Sequence, residues 1–93
     1  MVEKAKIPSR DQLEKAVKKA FGQALKQARE NYKGGRLTQE KLAYESGYDR
    51  TYIHKLENGT YQPSLSAFIA LSLHLGVPPA TLLQAVLKEV NLK

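Results

Sequence analysis

The side chains best equipped for chemistry in this 93-residue chain fall between Gln39 and Tyr61, in the run QEKLAYESGYDRTYIHKLENGTY. Arg50 and Lys55 bring cations, Thr51, Tyr52, Thr60 and Tyr61 hydroxyls, and Gln39 and Asn58 amides. Such groups hold anions and donate hydrogen bonds; they do not make or break covalent bonds unaided. No nucleophile–base pair stands at a usable spacing and no glycine-rich phosphate loop precedes a helix, so an enzyme is not expected. Cysteine is absent, which removes disulfides, thiolate nucleophiles and cysteine metal sites. His54 and His74 fall in separate predicted helices without supporting ligands, so neither a metal nor any other cofactor is expected.

Charge points the same way. Fifteen Lys and Arg against nine Asp and Glu leave +6, a balance that suits a polyanion such as nucleic acid or an anionic membrane surface. The charge is uneven: residues 1–57 hold thirteen of the cations and eight of the anions, and no formal charge occurs from Asn58 to Leu87. One half reads as a wet basic face, the other as a core or a partner surface. The opening MVEKAKIPSRDQ has no apolar stretch of the signal-peptide kind. The most apolar segment, Leu65 to Val77, is too short for a membrane span and is interrupted by Ser66, Ser72 and His74. A cytoplasmic protein with no membrane partner is expected.

The elements that must position these groups are all helices. Ser9 with Gln12 makes a capping box. Leu13, Ala16, Val17, Ala20, Phe21, Ala24, Leu25, Ala28 and Tyr32 then recur at helical spacing, with Gly34-Gly35 as the stop. Thr38 caps a short second helix that ends at Gly47. Asp49 caps a third, through Leu56 to Asn58-Gly59. Ser64 opens a fourth that runs to about Leu75 and Gly76, and Pro79 begins a fifth, to about Val90. No alternating strand pattern occurs. The expectation is an all-α, compact five-helix bundle over residues 9–93, preceded by a disordered tail at 1–8.

Within it, residues 38–58 have the spacing of a helix-turn-helix. Two short helices cross steeply only where contact positions are small or glycine. Ala43 is small where they meet. Gly47 takes a positive φ that costs a residue with a Cβ about 1–2 kcal/mol. Leu42, Tyr48, Ile53 and Leu56 supply the inward apolar positions. In this arrangement the second helix enters the DNA major groove.

At this point the chain resembles the lambda-repressor-like (Cro/XRE-type) helix-turn-helix domains, over about Phe21 to Leu83. The resemblance rests on Thr38-Gln39-Glu40 with Leu42-Ala43, on Gly47, and on Leu56-Glu57-Asn58-Gly59. Pro63-Ser64-Leu65 and the pattern from Leu71 through Leu75-Gly76-Val77 to Leu82-Leu83 extend it. The Asp49–Ile53 segment is similar to the small controller proteins of restriction–modification systems. Two departures stand out: the connection Lys33–Leu37 is about three residues longer than the family pattern, and the first helix begins about ten residues early.

The resemblance implies roles residue by residue. Arg50, Thr51 and Lys55 match base-reading positions, and His54 lies beside them; arginine grips guanine O6 and N7 with two hydrogen bonds. Gln39, Asn58, Gly59, Thr60 and Tyr61 fall where phosphates are contacted. Tyr52, read from its place on the groove-facing helix and not from the resemblance, is expected either to donate to a phosphate or to cover the junction of the second and third helices. Glu57 matches a glutamate that pairs with an arginine late in the first helix, here Arg29, as a structural ion pair.

Phe21, Leu25, Leu42, Ile53, Leu56, Leu65, Phe68, Leu71, Leu75, Val77 and Leu82 form the expected core. Ile69, Leu73, Leu83, Val86, Leu87 and Val90 exceed what so small a core needs and are expected to form a dimer interface. The leading reading is a sequence-specific double-stranded-DNA-binding transcriptional regulator, of repressor or controller type. It would act as a homodimer on a near-palindromic operator. The second reading is an antitoxin-type or protein-interaction module that binds a partner protein.

Overall fold

The computed structural model describes residues 7–90; residues 1–6, most of the expected disordered tail, and residues 91–93 lie outside the described part. Five helices follow one another: α1 (Arg10–Glu30), α2 (Gln39–Ser46), α3 (Arg50–Glu57), α4 (Leu65–His74) and α5 (Pro79–Val90). No strand occurs among the described residues.

Four helix starts are fixed by side chains that satisfy first-turn amides. Ser9 Oγ accepts from the Gln12 amide while Gln12 Oε1 accepts from the Ser9 amide, a reciprocal capping box. Thr38 caps Lys41 at 3.0 Å, Asp49 caps Tyr52 at 2.9 Å and Ser64 caps Ala67 at 3.1 Å. Pro79 opens α5, where its missing N–H costs nothing. At only eight residues each, α2 and α3 are too short to persist alone, so packing must hold them.

That packing centres on Phe21, Leu25, Leu42, Ile53, Leu56, Leu71 and Leu82, all essentially inaccessible to solvent. The long α1 lies against α3 and α5; α2 packs on α3 and α4, and α4 on α5. Ser72 is buried among these groups, its hydroxyl donating to the Val77 carbonyl. No single helix among the described residues is long and apolar enough to cross a membrane.

Several expectations need correction. The first helix ends at Glu30, not at Gly34-Gly35. The Tyr32 amide bonds the Arg29 carbonyl, tightening the last turn, and the Tyr32 ring folds back across Gly34. A Cβ on Gly34 would lie 2.5 Å from that ring, so this glycine makes room and does not terminate the helix. Leu65 is 76% exposed because it is the first residue after the Ser64 cap, on the outward side of α4. Phe68 and Val77 are half-buried at the edge of the core, while Leu37 joins it from the α1–α2 connection. Val86 is buried beneath α1 and α5 and Val90 packs against the same core, so Val86 offers no surface to a second chain. It follows Leu82 by one helical turn, on the inward face of α5.

Candidate nucleic-acid interface

Two glycines let α3 sit where it does. Gly47, with φ 83°, turns the chain between α2 and α3; nothing crowds it, so the demand is conformational. Gly22, in mid-helix, is a steric requirement. A Cβ there would lie 2.6 Å from the carbonyl oxygens of both Leu56 and Glu57, so the C-terminal end of α3 rests directly on the α1 backbone.

A single carboxylate completes the mount. Glu57 accepts from Arg29 Nε at 2.7 Å and from the second guanidinium arm at 3.0 Å, a two-pronged, charge-assisted contact. Gln39 Nε2 donates to the same carboxylate at 2.9 Å, and Arg29 Nη1 reaches the Leu37 carbonyl at 3.0 Å. The ion pair is largely shielded, with side-chain exposures of 14% and 4%. Its hydrogen bond to Glu57 raises the Arg29 pKa further against the opposing effect of burial, so the guanidinium stays charged. The end of α1, the start of α2 and the end of α3 are thus tied at one point.

This mount leaves one side of α3 free. Arg50, Thr51 and His54 are exposed and line a common shallow depression. Arg50 also borders a second depression at the start of α2, shared with Arg36, Thr38, Gln39 and Glu40. Of the sequence-predicted base-reading residues, Lys55 is placed differently. It is half-buried, its Nζ 3.4 Å from the Tyr61 hydroxyl and 5.1 Å from the centre of the Tyr61 ring. Tyr61 is the last of three aromatic neighbours: Tyr48 and Tyr52 lie 5.0 Å apart between ring centres, Tyr52 and Tyr61 6.2 Å. Half-buried Tyr52 packs against the core beside Tyr48, and burial, aided by Tyr48, pushes its phenol pKa up. It therefore remains a protonated hydrogen-bond donor.

The segment after α3 is closed on itself. The amides of Asn58, Gly59, Thr60 and Tyr61 bond the carbonyls of His54, Leu56 and, for the last two, Lys55. Asn58 Oδ1 accepts from both the amide and the hydroxyl of Thr60. Gly59, with φ 81°, thus has a conformational role and no free donor for a phosphate, because its only N–H is engaged. What this loop can still offer an anion comes from the side-chain amide of Asn58 and the hydroxyl of Tyr61, since both donors of Thr60 are spent on Asn58. Gln39 is likewise turned partly inward by Glu57, though the amides of Gln39 and Glu40, at the start of α2, have no intrahelical acceptor.

Sequence reasoning missed two residues. Arg36 sits in the longer connection, whose path the sequence does not fix, and comes to the same rim as Arg50. Gly22 carries a readable signal: a glycine interrupting an otherwise amphipathic helix marks a close approach.

A family model described as helix-turn-helix domain matches residues 22–88. The control protein C.BamHI of Bacillus amyloliquefaciens is 43% identical over 63 residues, covering 68% of this chain and 75% of that protein. Two solved structures are similar in fold. The clp gene regulator ClgR of Corynebacterium glutamicum gives a TM-score of 0.72 at 27% identity, covering 80% of this chain and 76% of that one. The restriction-modification controller protein C.AhdI of Aeromonas hydrophila gives 0.62 at 37% identity, covering 72% and 94%. With a mount built from α1, α2 and α3, an exposed polar face on α3 and a match over most of its length, the chain belongs to the helix-turn-helix domain family.

Proposed function

We propose that this protein is a sequence-specific double-stranded-DNA-binding transcriptional regulator, working in the cytoplasm as a homodimer on a near-palindromic operator. The observation that carries the reading is the free face of α3, where Arg50, Thr51 and His54 stand exposed on a helix clamped from behind. Arg50 reads guanine through its planar fork, and Thr51 offers a hydroxyl and a methyl to the neighbouring base. Affinity comes mainly from phosphate contacts by Arg36, the start of α2 and the side chains of Asn58 and Tyr61, and it falls steeply with salt. Similarity to two controller proteins and a gene regulator supports the same class.

A second copy is favoured by Ile69, Leu73, Leu83 and Leu87, which are 41–65% exposed on α4 and α5. Two-fold pairing of those surfaces would set two α3 helices about 34 Å apart, one turn of DNA. Selection from a random duplex pool at near-physiological salt, with wild type and Arg50→Ala side by side, tests the reading. A two-fold motif enriched by the wild type and blurred by the variant is the expected result. Salt-labile binding with no enriched motif would refute sequence-specific regulation.

A further inference from the structure

The basic side of α1 takes no part in the face just described. Around the helix, Lys15, Lys18, Lys19 and Lys26 all fall within roughly 60° of Gly22 at about 100° per residue. Gly22 is the point where α1 touches Leu56 and Glu57, so this stripe borders the C-terminal end of α3. The loop beyond α3 passes the same stripe: a Cβ on Gly59 would lie 3.5 Å from Lys19 Cα and 3.8 Å from the Lys18 carbonyl. Lys15 and Lys19 are exposed and Lys18 is half-buried. Among the described residues none of the three is paired with a carboxylate, and the neighbouring Glu14 is taken by Arg10 at 3.4 Å. All three lie before residue 22, where the family match begins.

We propose that Lys15, Lys18 and Lys19 form a phosphate-binding ridge that extends the duplex footprint beyond the end of α3, onto DNA backbone flanking the sequence that α3 reads. The inference rests on the DNA-binding reading above. With α3 in the groove, Asn58 to Tyr61 stand at the groove wall, and the ridge is the next surface outward. Lys15 to Lys19 spans ~6 Å of helix axis, about two steps of the 3.4 Å rise per phosphate along one strand. The competing role is internal: cations beside the C-terminal end of α3 would stabilise its dipole without touching DNA.

The test titrates wild type, a triple Lys→Gln variant at positions 15, 18 and 19, and the corresponding triple Lys→Arg variant onto a mixed-sequence duplex of about four helical turns. Binding is read by fluorescence anisotropy across a salt series, and the fold by thermal melting. Each phosphate contact contributes about 0.9 to the slope of log affinity on log salt, so the Gln variant is expected to lower the slope by roughly 2–3. The Arg variant is expected to keep it. An unchanged slope in the Gln variant, with or without a lower melting temperature, overturns the ridge while leaving the DNA-binding reading intact. Failure of the wild type to bind duplex at any salt overturns both.

Discussion

Replacing Gly22 with alanine sets two opposed effects against each other. Inside a helix the exchange ordinarily gains about 1 kcal/mol. Here the new methyl would lie 2.6 Å from two backbone carbonyl oxygens and 3.0 Å from the Glu57 carbonyl carbon. An ordinary contact begins near 3.4 Å, so α3 must retreat by about 0.8 Å. The obstacle is backbone and cannot rotate aside. Forced overpacking of this kind costs ~1–3 kcal/mol. The retreat also stretches the 2.7 and 3.0 Å bonds between Arg29 and Glu57, and weakening a charge-assisted pair adds ~1–2 kcal/mol. After subtracting the helix gain, Gly22→Ala is expected to destabilise the domain by about 1–4 kcal/mol. At ~4–8 °C per kcal/mol for a domain of this size, its melting temperature should fall by roughly 4–30 °C. Melting followed by far-UV circular dichroism measures this directly. Gln23→Ala, at the exposed neighbouring position, serves as the control and should stay within ~0.5 kcal/mol of wild type. A Gly22→Ala protein that melts at or above the wild-type temperature would refute the close-approach argument.

Three further outcomes are expected. Glu57→Ala leaves the shielded Arg29 without its carboxylate and should cost ~3–5 kcal/mol in urea unfolding; a loss below ~1 kcal/mol would mean that the pair is not holding the helices. Val86→Asp should unfold the chain because Val86 is buried, whereas Leu87→Asp, at a half-exposed position, should keep its helicity and, on the proposed homodimer reading, sediment as a monomer beside a dimeric wild type; a wild type that sediments as a monomer would refute that reading. Tyr52 has its pKa raised by burial, so its contribution is complete below about pH 10, the ordinary tyrosine value, and is lost as pH rises through the higher folded value. Tyr52→Phe should therefore flatten the alkaline fall in the urea midpoint, and identical pH profiles for the two proteins would sink that account.

What could be read from the sequence was mostly local. Ser9, Thr38, Asp49 and Ser64 mark helix starts because a capping oxygen bonds an amide only three residues away. Gly47 was legible for the same reason, since a left-handed turn between two short helices leaves few alternatives. Features decided by distant neighbours were not. The end of α1 falls at Glu30 with Asn31 as its cap, while the more conspicuous Gly34-Gly35 lies in the connection beyond it. Lys55 looks like any groove-facing cation until the loop brings Tyr61 against it. Gln39 reads as a free phosphate ligand, yet Glu57, eighteen residues on, claims one of its donors. Val86, by contrast, is legible as a core residue. Its spacing from Leu82 and Val90 puts it on one face of α5, whereas Leu83 and Leu87 share another.

The separation between the mount and the free face of α3 has an evolutionary consequence. Arg50, Thr51 and His54 contribute little to folding, because exposed substitutions away from caps and buried networks usually change stability by less than ~0.5 kcal/mol. Arg29, Gln39, Glu57 and Gly22 instead hold the helices together. A lineage can therefore retarget such a protein by exchanging a few surface residues, at almost no thermodynamic risk. Lys55 is the exception: because Tyr61 holds it, drift at either position would have to be matched at the other.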